Sequence, residues 1–310
     1  MESYFKLDVS CIIINFNSSK YTIDCIDSII KNTKNKIEYE IIIVDNNSKI
    51  NDFKNLSKGV SLINKPFIKI IRNKKNIGFG SGNMLGVKHS KKSVYYAFIN
   101  NDTLMLTNET LSELKKFMDE NFDVGICSPQ SLDENKKFKV TIDHFSSIQR
   151  EILGRTLLEK LFPKKYLNRK SKFKKPTAVH YVQGSFLFCR AKYFNNVGGF
   201  DPNLFLYYEE SDISLRMLKE LNKKTYIIPH LEYIHYKGKS SAYGIKLKIE
   251  QKLSLMYYTE KHQGWLSKKL LIIHYSIRYF FTSIIKPKYW ALFYVLIIGA
   301  PMSKSMRNNK

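Results

Sequence analysis

The stretch Tyr95-Tyr96-Ala97-Phe98-Ile99-Asn100-Asn101-Asp102 sets five mostly apolar residues before two amides and a carboxylate. A short aromatic run of this kind reads as a buried strand rather than a helix. In open α/β sheets, ligands bind outside the carboxyl ends of the strands. A carboxylate there can hold a hard divalent cation, and the cation can neutralise a pyrophosphate. The plainer reading is a strand closed by an Asx-type turn, since Asn and Asp favour turns. Two earlier apolar runs end the same way: Val9 to Asn15 runs into Phe16-Asn17, and Tyr39 to Val44 runs into Asp45-Asn46-Asn47. Three polar strand ends along one sheet edge suggest a shared ligand site.

A second group of titratable residues lies later in the chain. Glu209, Glu210 and Asp212 crowd the start of a helix within Leu206 to Leu218. Negative charge at a helix start suits the macrodipole, which is the plain account of them. Between the two groups, Gly78-x-Gly80-x-Gly82 superficially suggests a dinucleotide fingerprint, but that fingerprint belongs after the first strand. Here it follows the third. It reads instead as a glycine-rich approach to a helix N-terminus, with backbone N–H groups available to an anionic or polar ligand.

The elements that must position these residues follow in order. Val9–Asn15 is the first strand, and Ser18 or Ser19 caps a helix over Lys20–Lys31 with Ile23, Ile26, Ile29 and Ile30 on one face. Tyr39–Val44 and Phe67–Arg72 are strands, and Ser81–His89 is a helix leading into the strand at Tyr95. Leu111–Asn121 is amphipathic and Val124–Pro129 is a further strand. Residues 133–175 are polar and basic, with a helix expected around Ile148–Phe162, and read as an insertion or a substrate-facing flap. Val179–Arg190 holds a glycine turn and a strand, Ala191–Val197 a short helix capped by Gly198-Gly199. Thr225–Pro229 is a final strand, with His235 in the loop after it.

The 310 residues allow one large α/β domain, or one domain plus an appendage. The net charge of +24 favours a polyanionic partner: nucleic acid, an anionic membrane surface or a phosphorylated substrate. No nucleic-acid-binding motif accompanies the charge, so no specific nucleic acid is expected. Cys11, Cys25, Cys127 and Cys189 are far apart, which supports neither a metal knuckle nor a disulfide framework. With no signal-peptide pattern at the N-terminus, a cytoplasmic location is expected.

Taken together and in order, these pieces resemble glycosyltransferase family 2, and within it the rhamnosyltransferase-like branch of bacterial polysaccharide enzymes. The resemblance rests on VSCIIINFNS (Val9–Ser18), EIIIVDNNS (Glu40–Ser48), NIGFGSGNMLG (Asn76–Gly86), FINND (Phe98–Asp102), Gly184-Ser185, GGFDP (Gly198–Pro202), YYEESDISLR (Tyr207–Arg216) and His235 with Gly238 and Ser240. It implies a GT-A fold, an α/β architecture with a mostly parallel central sheet flanked by helices. It places a nucleotide-binding half at 1–105 and an acceptor half at 106–240, followed by a helical C-terminal region at 241–310. It also implies an inverting, Mg²⁺- or Mn²⁺-dependent sugar transfer from a nucleotide-sugar donor, such as dTDP-rhamnose or a UDP-sugar. The acceptor would be a hydroxyl of a lipid-linked or growing polysaccharide in capsule or O-antigen synthesis.

Residue by residue, the resemblance implies that Asn15 and Asn17 line the nucleotide and that Asp45, near Asn46 and Asn47, accepts a hydrogen bond from the base. Asn76, Gly78, Phe79 and Asn83 would sit over the ribose and diphosphate. Asn100-Asn101-Asp102 matches the family's Asp-x-Asp motif but departs from it at Asn100, so Asp102 is the charged metal ligand, with His235 the late histidine. Glu210 occupies the position of the family's base, one methylene longer than the usual Asp, with Glu209 the second candidate. Gly184, Ser185, Gly199, Asp201, Asp212 and Arg216 belong to the acceptor side. The two departures also leave open a non-catalytic family member acting in a glycan-assembly complex.

In the tail, Leu270–Ile285 and Tyr289–Ala300 are apolar but shorter than a spanning helix needs. With Trp290, several tyrosines and the surrounding Lys and Arg they suit an interfacial anchor on the anionic inner face of the cytoplasmic membrane. A pair of buried helices or a homodimer interface is the alternative.

Overall fold

The computed structural model describes residues 7–33, 36–236 and 244–308. Gly238 and Ser240 lie outside them. The described chain begins with β1 (Leu7–Asn15), α1 (Ser19–Asn32), β2 (Tyr39–Asp45), α2 (Ile50–Ile63), β3 (Ile68–Arg72), α3 (Phe79–His89) and β4 (Ser93–Asn100). The chain continues through β5 (Thr103–Met105), α4 (Thr110–Glu120), β6 (Val124–Leu132), β7 (Ile142–Asp143), α5 (Ile148–Leu153) and α6 (Arg155–Leu161). Next come β8 (Thr177–Val179), β9 (Tyr181–Val182), β10 (Phe186–Arg190), α7 (Ala191–Asn196), α8 (Glu209–Leu221) and β11 (Lys224–His235). Helices α9 (Gly244–Gln263), α10 (Trp265–Ile285) and α11 (Trp290–Ile297) close the described chain.

One sheet runs β3-β2-β1-β4-β10-β6-β11-β5, with β8 added on β11. Strands β3, β2, β1 and β4 are parallel; β10 enters antiparallel between β4 and β6, so the sheet is mixed beyond the first half. Alternation along each strand divides the core in two. Val9, Cys11 and Ile13 point to the side covered by α1, α2 and α4. Ile12, Phe98 and Leu187 point to the side covered by α3, α7 and α8. All four cysteines are free and buried in these layers.

Several boundaries differ from the sequence reading. Helix α2 adds to the expected elements: Leu56 is its one buried residue, and Val60 and Ile63 pack partly buried on the same face. The expected helix over 148–162 is two helices, broken where Gly154 takes φ +80°. His235 is not in a loop but is the last residue of β11, paired with Thr103 of β5. The C-terminal helices form a third apolar cluster around Leu253, Met256, Leu271, Tyr275, Leu292 and Leu296.

Candidate active site

The three polar strand ends do meet. Asn15 is opposite Asp45 in the β1–β2 register, and Asn100 is opposite Ile14 in the β1–β4 register. Asn15 is buried and its amide is fully engaged. It donates to Asp45 Oδ1 (2.9 Å), Ser48 Oγ (3.0 Å) and Asp52 Oδ2 (3.1 Å), and its oxygen accepts from Thr22 (2.7 Å). Asp45 is likewise buried. Its Oδ2 accepts from the Ser48 N–H at 3.2 Å and faces Arg72 Nε at 3.5 Å. Asn17 and Asn47 are exposed at the rim, both with positive φ, and the Asn17 side chain accepts from the Lys49 N–H (2.8 Å). Asp52, on the helix the sequence did not reveal, also accepts the Ser19 N–H (3.0 Å) and so caps α1.

The loop before α3 is tied to β2 through Asn46. Its amide donates to Asn76 Oδ1 (2.9 Å) and Gly78 O (3.0 Å), and its oxygen accepts the Ile77 N–H (3.1 Å). Gly78 has φ +84°, and a Cβ there would lie 2.2 Å from the backbone oxygen of Phe205. The Phe79 N–H donates to that same oxygen (2.9 Å), which joins the start of α3 to the loop before α8. Farther along α3 the glycines serve packing. A Cβ at Gly86 would sit 2.4 Å from Ile12, and one at Gly80 would sit 3.4 Å from Glu209 Cγ. Asn83 is buried and donates to Phe79 O within its own helix (3.1 Å).

The Asn100-Asn101-Asp102 motif splits into three roles. Asn100 lines a cleft of about 380 Å³. Asn101 turns away and donates to Ser18 Oγ (2.6 Å) and Thr22 Oγ1 (2.9 Å), clamping the loop after β1. Asp102 Oδ1 stands 3.3 Å from Nε2 of His235, which also lines the cleft and whose buried Nδ1 has no partner among the described residues. Two ligands in neighbouring positions of an octahedral ion, each about 2.1 Å from it, stand about 3 Å apart. The Asp102–His235 pair fits that spacing and supplies one hard oxygen and one imidazole nitrogen. Among the described residues no cluster of three or more Asp, Glu, His or Cys is placed to hold a metal. Any divalent ion would therefore complete its shell from substrate phosphates and water, as Mg²⁺ usually does.

The opposite wall carries the carboxylates of α8. Glu209 is 1% exposed, lies under α3 beside Gly80, and its Oε1 has no hydrogen-bond partner. Burial, then the neighbouring Glu210 charge, raises its carboxyl well above the usual range. Glu210 keeps part of its surface in the cleft, beside Gly184, where a Cβ would lie 3.7 Å from the carboxyl. Burial pushes the Glu210 carboxyl up to about 7, and the negative charge of Asp143 adds to the push. A carboxyl titrating near the working pH suits a general base. Ser185 buttresses this wall: its carbonyl accepts the Asn100 N–H (2.9 Å) and its hydroxyl pairs with Tyr233 (2.7 Å).

The remaining acceptor-side candidates lie outside the cleft lining. Asp212 accepts from Arg216 Nη2 (2.6 Å) and from His262 Nε2 (2.8 Å), and faces Lys261 Nζ (2.7 Å). Arg216 also donates to Gly199 O (2.6 Å), and Asp201 holds Lys261 (2.6 Å) and Tyr257 (2.9 Å). Together they dock α9 onto α8. Three residues of the insertion, by contrast, line the cleft and were not singled out from sequence. Asp143 accepts Arg155 Nε (2.7 Å) and Arg150 Nη2 (3.1 Å).

With the geometry in place, the comparisons with known proteins decide the family. Residues 10–198 match the model for glycosyl transferase family 2. The chain belongs to this family. Among its relatives in the family, an N-acetylglucosaminyl-diphospho-decaprenol L-rhamnosyltransferase of Mycobacterium tuberculosis is 32% identical over 89 residues, 28% of this chain and 29% of that protein. Rhamnosyltransferase WbbL of Escherichia coli is 27% identical over 172 residues, 51% of this chain and 61% of that protein. The chain thus spans under a third of the first relative's length and about three-fifths of the second's. Among solved structures, GalNAc-T7 with UDP, GalNAc and Mn²⁺ superposes with TM-score 0.62 at 18% identity, over 83% of this chain and 48% of that one. Residues 1–349 of Staphylococcus aureus TarS with UDP give 0.53 at 16% identity, over 82% of this chain and 66% of that one. These glycosyltransferase structures share the fold of this family 2 chain, which is the GT-A fold.

Proposed function

We propose that this family 2 chain is an inverting glycosyltransferase moving a sugar from a nucleotide-diphosphate donor to a hydroxyl of a lipid-linked or growing bacterial polysaccharide. One observation carries the reading. Glu210, with its carboxyl near 7, and His235 of the Asp102–His235 pair line the same cleft. Glu210 takes the acceptor's proton as the hydroxyl attacks the anomeric carbon. Asn15, Asp45, Asn46 and Asn76 fix the loops that receive the nucleotide, and Phe79 and Asn100 form the cleft floor beneath the sugar and diphosphate. Asp102 and His235 would hold Mg²⁺ or Mn²⁺, which neutralises the developing charge on the leaving nucleoside diphosphate. The relatives named for rhamnosyl transfer and the decaprenol diphosphate in one of those names support dTDP-rhamnose, or else a UDP-sugar, as donor and a polyprenyl-diphosphate-linked acceptor.

The same reading sets the protein on the anionic inner face of the cytoplasmic membrane. No described helix is long and apolar enough to cross a membrane. In α10, Leu271, Tyr275, Tyr279 and Ser283 face inward, while Leu266, Leu270, Ile273, Ile277, Phe281 and Ile284 are exposed on the opposite side. That face extends about 27 Å along the helix. Residues 261–310 contain nine Lys or Arg and no Asp or Glu. An anionic lipid surface fits both the apolar face and its charge.

The test is nucleoside diphosphate release from a panel of dTDP-, UDP- and GDP-sugars, with Mn²⁺ or Mg²⁺ and membranes supplying lipid-linked acceptor. Release from one donor, lost in Asp102→Ala and Glu210→Gln, is expected. Absence of release from every donor, over membranes that support transfer by another enzyme, would overturn the catalytic reading in favour of a non-catalytic assembly role.

A further inference from the structure

The insertion carries a second apolar surface, and its inner side reaches the cleft. Ile152, Leu153, Leu157, Leu161 and Phe162 are exposed on successive turns of α5 and α6. Residues 160–175, which begin there, hold eight Lys or Arg and no acid. Helix α5 is fastened to the C-terminal bundle. Tyr275 of α10 donates to Glu151 Oε2 (2.5 Å), and Gln263 of α9 donates to the Ser146 carbonyl (2.8 Å). On the side away from solvent, Arg150 is buried between Asp143 and Glu151 and lines the cleft. Arg155, also in the cleft wall, offers only its Nε to Asp143, and its Nη1 and Nη2 atoms have no hydrogen-bond partner among the described residues. A guanidinium with one edge anchored and the other open is suited to a phosphate.

We infer that α5–α6 is the acceptor-entry element, its apolar outer side dipping into an anionic phospholipid bilayer while Arg155 takes the diphosphate of a lipid-linked acceptor. The inference rests on the membrane and acceptor reading above and adds to it a location and a residue. A lipid-linked substrate has its chain in the bilayer, its diphosphate at the headgroup level and its sugar beyond. The element spans those three levels in the same order: exposed leucines and Phe162, then Arg155, then the cleft with Glu210. The lysines at 160, 164 and 165 flank the apolar residues where anionic headgroups would lie.

Two kinds of vesicle separate the parts of the inference. Sedimentation with phosphatidylglycerol-containing vesicles reads the apolar side. Phosphatidylcholine vesicles with and without added polyprenyl diphosphate read Arg155. Leu157→Asp/Phe162→Asp changes two exposed side chains, so the thermal transition should stay at the wild-type value. Its binding to phosphatidylglycerol vesicles should fall about tenfold or more, the loss expected from removing two buried apolar side chains from the lipid. Arg155→Gln should bind phosphatidylglycerol vesicles as wild type does but lose the extra retention that polyprenyl diphosphate confers. Ile273→Asp/Ile277→Asp on α10 is the reference for the membrane reading itself. If that variant loses binding while Leu157→Asp/Phe162→Asp does not, the entry element is wrong and the membrane reading stands. If wild-type protein binds no vesicle, both fail; if it forms a dimer that Leu157→Asp/Phe162→Asp dissolves, the entry element fails while α10 still carries the membrane reading. Undiminished retention of Arg155→Gln by polyprenyl diphosphate would overturn the assignment of Arg155.

Discussion

Nε2 of His235 lies 3.3 Å from Oδ1 of Asp102, although 132 residues separate the two along the chain. The pairing of β5 with β11 produces this contact, since His235 is in register with Thr103, the neighbour of Asp102. A strand pair holds both side chains at fixed separation without help from a ligand. The expected consequence is that Asp102→Ala lowers kcat/KM for nucleoside diphosphate release by about 10²-fold or more, the scale of losing one preorganised electrostatic group. His235→Ala should raise the Mn²⁺ concentration needed for half-maximal rate. A titration of Mn²⁺ against rate checks both, and unchanged metal dependence in the two variants would rule out this pair as the ligands.

The pH profile should expose Glu210. Its carboxyl is held up near 7, chiefly by burial, so the fraction able to accept a proton rises as pH passes through that value. kcat/KM should therefore climb between about pH 6 and 8 and level off above. Glu210→Gln should lose about 10²- to 10⁴-fold and flatten the rise. Glu210→Asp keeps the carboxylate and should retain the rise at lower amplitude. A rise that persists in Glu210→Gln would assign the titration to another group.

How much of this was legible beforehand depends on how each element announces itself. Asn15, Asp45 and Asn100 could be found because each ends an apolar, β-branched or aromatic run, and a buried parallel strand has no other way to read. Glu210 stood out because acids crowd one helix start. The cleft's insertion wall did not. Asp143 is in a two-residue strand, and Gly154 breaks the helical period between Arg150 and Arg155, so no window showed them sharing a face. Helix α9 falls within the C-terminal region expected to be helical, but its own bounds could not be read, for a related reason. It buries Glu250, Lys252, Ser254 and Thr259 along with its apolar residues, so no apolar stripe marks it. The expected loop at His235 failed because Pro229 and His230 interrupt the pattern of a strand that in fact continues across a register shift to residue 235.

Glu209 should be a cost to stability that pH reveals. Its carboxyl is raised above the unfolded value, by burial first and the Glu210 charge second, so the folded state binds the proton more tightly than the unfolded chain. Its contribution is fully present below the unfolded value near 4.5 and is lost as pH rises through the folded one. Glu209→Gln removes the titration while keeping the shape. Melting at pH 8 should rise by at least about 2–4 °C, the shift that 1 kcal/mol gives in a protein of this size, with little change at pH 4.5. A lower melting temperature at pH 8 would mean that the buried carboxyl is stabilised there by a group other than those described.

Asp212 should behave in the opposite sense. Burial alone would raise its carboxyl, but the hydrogen bond with His262 and the charge of Arg216 pull it down to about 2. Its contribution is present above the unfolded value of 3.8 and fades as pH falls from about 4 towards 2. Asp212→Ala leaves Arg216 and His262 without their buried partner, which costs about 3–5 kcal/mol. Because the same carboxylate joins α8 to Lys261 and His262 of α9, denaturant unfolding should show the C-terminal helices detaching before the sheet unfolds. A single transition at wild-type midpoint would show that this network does not hold the region in place.

Gly78 offers a test of whether the two halves must stay in contact for turnover. The residue has φ +84°, and a Cβ would meet the Phe205 oxygen at 2.2 Å, the same oxygen that accepts the Phe79 N–H. Gly78→Ala thus combines left-handed backbone strain of about 1–3 kcal/mol with a steric push on the loop leading to Glu209 and Glu210. The push separates the cleft floor at Phe79 from the wall that carries Glu210. Activity should fall further than stability does: at least about tenfold in kcat, at a temperature where the variant remains folded by circular dichroism. A misplacement of about 1 Å between reacting groups is enough for a loss of that size. The donor's KM should move less, because Asn46 and Asn76 still hold the far side of the loop through the 2.9 Å bond between their side chains. A variant that lost stability yet kept its wild-type kcat would show that the Gly78–Phe205 contact serves folding alone.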